Sequence, residues 1–164
     1  MPHRSRTALV AGIALAVLTA LPAAATSTTR RGNFEPFGTT TLDISGHAQI
    51  VTGNGFTKVS VHVEGLEPDT TYGSHLHAAS CDDNMGGGHY KDDPAGPAEP
   101  PNELWLSSTS DPKAGVTANR GGVVHGDGSA PWVARPEAQS IVLHYVPPGG
   151  STSGGPKVAC ADFS

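Results

Sequence analysis

The sequence predicts an all-β domain, an antiparallel sandwich or barrel of short strands. Three observations predict it. The 164 residues include 21 Gly and 14 Pro, residues that break helix interiors. Apolar residues fall in short runs, several of them alternating with polar ones, and no stretch carries a helical period. Clusters of Gly, Pro, Asn and Asp punctuate those runs as turns. The charge balance, 10 Lys+Arg against 15 Asp+Glu, argues against a nucleic-acid partner, because polyphosphate needs a basic face. Eight His beside only two Cys are the part of the composition that asks for a function.

The amino terminus reads as a secretory signal peptide over residues 1–25. Arg4 and Arg6 give a basic start, Ala8–Leu21 is an uncharged apolar run, and Ala23-Ala24-Ala25 offers small residues for cleavage. The run falls short of the roughly 20 residues that cross a bilayer, and no later run is longer. The expected location is secreted, or periplasmic in the cell envelope, without a membrane span. The remaining 139 residues keep eight basic side chains and a formal charge of −7. Leu, Ile, Val and Phe number 24 of them, which is thin for a core. Cys81 and Cys160 both lie in this part, and export exposes them to oxidising conditions. A Cys81–Cys160 disulfide is therefore expected. Closing a loop of about 80 residues stabilises by roughly 4–5 kcal/mol in the chain-entropy model.

The elements follow in order. Residues 26–38 are polar and aperiodic and read as a flexible lead-in, so the domain is placed at 39–164. Thr40–Val51 is an expected strand, with Leu42, Ile44, Ile50 and Val51 as its apolar residues. After the Gly53-Asn54-Gly55 turn, Lys58–Glu64 alternates Val59, Val61 and Val63 with polar neighbours, the pattern of a half-buried strand. Glu67-Pro68-Asp69 is a turn, and Thr71–His77 is a strand. Ala78–Asn102 is too long for a plain connection and is either functional or disordered. Strand character returns at Leu104–Ser108. It is weaker at Val116–Val124, short at Trp132–Ala134, and strongest at Ser140–Val146. Pro147–Pro156 is a second loop, and Lys157–Phe163 closes the chain as a strand.

Four His stand where chemistry is feasible. His75 and His77 are two apart on a strand, so they share a face, about 6–7 Å apart, and can converge on one ion. His89 follows Gly86–Gly88, where the backbone can fold back toward the strand end. His144 lies on the apolar Ser140–Val146 strand. Imidazoles without Cys or Met ligands suit copper or zinc.

The same residues carry a resemblance. Gly73-Ser74-His75-Leu76-His77, Cys81, Gly87-Gly88-His89-Tyr90, Val142-Leu143-His144 and Gly155-Pro156-Lys157-Val158-Ala159-Cys160 occur in the order seen in the copper–zinc superoxide dismutases. Val61-His62-Val63-Glu64-Gly65-Leu66-Glu67-Pro68 resembles the strand that precedes that family's metal strand. The resemblance runs from Leu42 to Phe163. It implies a Greek-key antiparallel β-barrel of about eight strands with two long loops. It implies copper held by His75, His77, His89 and His144, and Cys81–Cys160 as the intrachain disulfide. The implied reaction converts superoxide to oxygen and hydrogen peroxide by Cu(II)/Cu(I) cycling, with His89 and Lys157 in catalytic roles. His89 would carry a proton, and Lys157 stands where the family has an Arg that attracts the anion.

The departures bear on the cofactor. In the family the residue that His89 matches bridges copper to zinc, and the zinc site needs two further His and an Asp after it, but Tyr90–Asn102 contains no His. Asp92, Asp93, Glu99 and Glu103 are the acids within reach, a poor zinc cage. A copper site without zinc is therefore expected, with Glu103 free to accept a hydrogen bond from His89 and so orient it. Lys157 keeps a charge but not the planar fork of Arg, and Pro147–Pro156 is short and uncharged. A non-catalytic exported copper-binding or storage protein is the alternative expectation. His47, His62 and His125 read as surface residues, and Trp105 and Trp132 as packing residues.

Overall fold

A computed structural model describes residues 26–164; the segment expected to be a signal peptide, residues 1–25, lies outside the described residues. The described residues form eight strands: β1 (Thr28–Pro36), β2 (Ser45–Gly53), β3 (Phe56–Glu64), β4 (Thr71–His77), β5 (Val116–Thr117), β6 (Val124–Ala130), β7 (Ser140–Tyr145) and β8 (Lys157–Asp162). All pair antiparallel in the order β5-β4-β7-β8-β1-β2-β3-β6. Helix among the described residues is limited to one 3-10 turn, Asn84–Gly86. The all-β expectation therefore holds.

The two ends of this sheet meet and nearly close a barrel. Val116 of β5 packs on Gly126 of β6, where a Cβ would come within 2.4 Å of the valine. Leu104–Ser108 fills the rest of the seam. Leu76 N donates to Leu104 O and Leu106 N to Ser74 O on the β4 side. Ser107 and Asp127 exchange both backbone bonds on the β6 side. The segment expected to be a strand here is thus an extended bridge between β4 and β6. Around the closed seam, β7, β4, β5 and β6 follow in the Greek-key order, with the fourth strand returning beside the first.

Burial follows the pleat. Val59, Val61 and Val63 of β3 point into the core with Phe34, Ala48, Ile50, Leu76, Ile141 and Leu143, while Lys58, Ser60 and Glu64 stay exposed. β4 and β7 are buried on both faces, because the long loops cover their outer side. That covered outer side is where β4 and β7 carry their histidines.

Two parts of the chain differ from expectation. Residues 28–36 are not a lead-in but β1, paired with β2 on one edge and β8 on the other, so the domain begins near Thr28. Only Phe34 of this strand is buried. Backbone pairing on both edges sets it, and an apolar pattern had nothing to register. Val124–Ala130 is β6, whereas Trp132–Ala134 is not a strand. The inward positions of β6 are Val124, Gly126, Gly128 and Ala130. A Cβ on Gly128 would come within 2.3 Å of the Trp105 carbonyl, so the seam demands small residues where a hydrophobic signal was sought. The strand expected at Thr40–Val51 starts only at Ser45, with Ile44 packed on the core from outside it.

The Ala78–Asn102 loop is ordered. Cys81 and Cys160 are bonded, Cα atoms 5.7 Å apart, and tie its start to β8. Its far part hangs on Arg135, which donates to the Lys91 and Asp92 carbonyls and lies over the Tyr90 ring.

Candidate metal centre

Local backbone demands bring four imidazoles together. His75 and His77 project from one face of β4, opposite Val142 and Ser140 of β7, and His144 stands opposite Gly73. The loop folds back on the end of β4: Ala78 N donates to Gly88 O and Tyr90 N to Leu76 O, which sets His89 beside His77. One nitrogen from each of His75, His77, His89 and His144 lies within 4.8 Å of the others.

The outward nitrogen of each ring is held by a fixed acceptor. His75 Nε2 donates to Thr152 O at 2.6 Å. His77 Nδ1 faces Gly86 O and Gly87 O at 3.3 and 3.2 Å. His144 Nδ1 donates to Gly155 O at 3.1 Å. His89 Nδ1 donates to Glu103 Oε2 at 2.7 Å. Such bonds fix the tautomer and leave the other nitrogen with its lone pair exposed to the centre. The inward set is therefore His75 Nδ1 with the Nε2 atoms of His77, His89 and His144. His75 Nδ1 is buried and has no hydrogen-bond partner. His77 Nε2 and His144 Nε2 stand 3.2 Å apart, two acceptors facing each other. This donor set, neutral imidazole converging without a protein proton donor, fits a cation with a preference for nitrogen.

Two glycines make the arrangement feasible. A Cβ on Gly73 would sit 2.2 Å from Thr152 O, so only glycine lets that loop reach His75. Gly86 has φ +86° and faces Val142, Ser140 and His77 closely, which lets its carbonyl approach the His77 ring.

Electrostatics keep His75, His77 and His144 neutral. Burial, reinforced by the neighbouring imidazoles, lowers His75 to about 2 and His77 to about 3. Burial, working against the Gly155 bond, lowers His144 to about 4. Glu103 is 2% exposed. Burial would raise its pKa, but the hydrogen bonds from His89 and Trp105 outweigh it, and the net direction is down. It is an ionised carboxylate under the cluster. Trp105 Nε1 donates to the same Oε2 at 2.7 Å, a role that goes beyond the packing expected of this indole.

Lys157 reaches the rim. Its Nζ donates to Met85 O at 3.0 Å and Gly87 O at 2.6 Å, and burial lowers its pKa. Gly87 O thus holds both His77 and Lys157. The remaining acids point elsewhere. Asp92 pairs with Arg135, Glu99 with Lys113, and Asp93 Oδ1 accepts from Ala95 N. The sequence singled out all four imidazoles, Glu103 and Lys157. It did not show the carbonyls of Thr152, Gly86, Gly87 and Gly155, because any residue type supplies a carbonyl.

No protein-family model matches the chain, and no curated protein matches it. The fold and the site define a Greek-key β-barrel with a buried four-histidine cluster capable of holding a metal. No helix among the described residues is long and apolar enough to cross a membrane.

Proposed function

We propose that the chain is an exported, copper-dependent superoxide dismutase, related to the copper–zinc enzymes but working without zinc. The observation that carries this proposal is the inward set of four imidazole nitrogens, each ring locked by an acceptor on its far side. Copper held there would supply one-electron chemistry in two oxidation states. His75, His77 and His144 are the permanent holders, all 3% exposed or less. His89 is the accessible member, its side chain 19% exposed. Glu103 keeps the proton of His89 at Nδ1, so proton exchange with substrate occurs at Nε2. Tyr90–Asn102 offers no second imidazole, and its acids are engaged elsewhere. Both facts support copper without zinc.

A storage or delivery role is the second reading, favoured by Lys157. Two of the three donors of its ammonium are engaged by carbonyls, so it lends the site charge with a single donor left for the anion and without the planar fork of Arg. Copper-loaded full chain, assayed with a superoxide pulse and metal analysis on the same sample, separates the two. The expected result is one tightly held copper per chain after dialysis and turnover above that of free copper. His144→Ala should lose both. Bound copper without turnover would replace the enzyme with the carrier.

A further inference from the structure

Among the described residues, three histidines lie outside the four-histidine cluster, one on each of three adjacent strands. His47 of β2 stands opposite His62 of β3, and His62 stands opposite His125 of β6. All three point away from the core. His47 and His125 are exposed, and His62 is half-buried between them. Ring centroids are 5.3 Å apart for His47–His62 and 4.5 Å for His62–His125. None of β2, β3 and β6 contributes a residue to the four-histidine cluster.

The polar geometry of this row points to a ligand. His62 Nε2 donates to Glu64 Oε1 at 3.0 Å. That bond leaves the Nδ1 lone pair of His62 facing His125 Nδ1 at 3.3 Å. Two nitrogens bound to one tetrahedral zinc, each at about 2.0–2.1 Å, stand about 3.3–3.4 Å apart. The carboxylate–histidine pair is also the arrangement that raises the basicity of a metal-binding imidazole. His47 flanks His62 on the side away from His125.

We propose that His62 and His125, with Glu64 behind His62, form a surface site for zinc(II), separate from the buried cluster. The remaining coordination positions are water. The site is open and carries no bound carboxylate, so micromolar rather than nanomolar affinity is expected.

The test is zinc binding to the full chain by equilibrium dialysis, read against variants that leave the buried cluster intact. The double variant His62→Gln/His125→Gln changes only outward side chains and should keep its fold, checked by circular dichroism. It should bind one zinc fewer per chain than the parent. Glu64→Gln should weaken the same equivalent by about 10–100-fold. In the parent, zinc should shift the ring resonances of His62 and His125 together. Equal zinc stoichiometry in the parent and the folded double variant would overturn the site. So would His62 and His125 resonances that do not move as the additional equivalent binds.

Discussion

At the scale of single residues, Glu103 is the side chain on which the centre turns. It sits at the start of the seam segment, accepts two hydrogen bonds on one oxygen, and holds His89 in one tautomer. Glu103→Ala leaves the buried Nδ1–H of His89 and the indole N–H of Trp105 without an acceptor. Each unpaired buried donor costs about 1–3 kcal/mol, so the midpoint of chemical denaturation should fall clearly. Metal affinity should drop by about 10–100-fold, the usual effect of losing a ligand's supporting partner, read by competition with a chelator. Glu103→Asp, if its shorter arm still reaches Nδ1, should recover part of the affinity. Equal affinity in parent and Ala variant would contradict a positioning role for the carboxylate. The candidate ligands were legible at this scale because imidazole is a rare and informative residue type. Their supporting acceptors were not, being main-chain atoms with no residue signature. The row of His47, His62 and His125 was invisible for another reason: no spacing along the chain reveals which strands pair.

At the scale of elements, β4 is the ruler and the two long loops are the clamps. β4 sets His75 and His77 two residues apart on one face, and Gly73, two residues before His75, is the gap through which the Thr152 carbonyl enters. Gly73→Ala should force that loop outward, since a Cβ would stand 2.2 Å from Thr152 O. Overpacking of this kind costs about 1–3 kcal/mol, and His75 would lose its acceptor as well. The expected outcome is a folded but less stable barrel with weakened metal binding; thermal melting and metal titration check it. Strand β4 was readable at both ends from its sequence, as was the alternation of β3. β1 and β6 were not. β1 has one buried apolar residue and depends on partners far along the chain. β6 turns glycines inward because the seam leaves no room for side chains. In both, tertiary demand replaced the apolar period that a sequence reading relies on.

At the scale of the whole molecule, the barrel stores three buried neutral imidazoles, and this makes stability depend on pH. His75, His77 and His144 have folded values of about 2, 3 and 4, below the value of about 6.5 in an unfolded chain. The unfolded chain therefore binds more protons in that range. The stability of the metal-free protein is whole above about pH 6.5 and is lost progressively as pH falls toward 4 and below. Denaturation midpoints at pH 7.5, 5.5 and 4.5 should decrease in that order, and an unchanged midpoint would contradict neutral burial. The seam offers the means of watching this. Trp105 is 6% exposed, its ring 4.9 Å from that of His75, in the segment that joins β4 to β6. Trp132 instead lies tilted against Tyr90, ring centroids 5.7 Å apart, and donates to the Pro101 carbonyl. One indole is thus a built-in fluorophore at the junction of barrel closure and ion binding. A paramagnetic ion among the imidazoles would quench it at once, while opening of the barrel would shift its emission toward the red. The protein carries its own two-channel optical gauge, and a Trp132→Phe background would let it be read without interference.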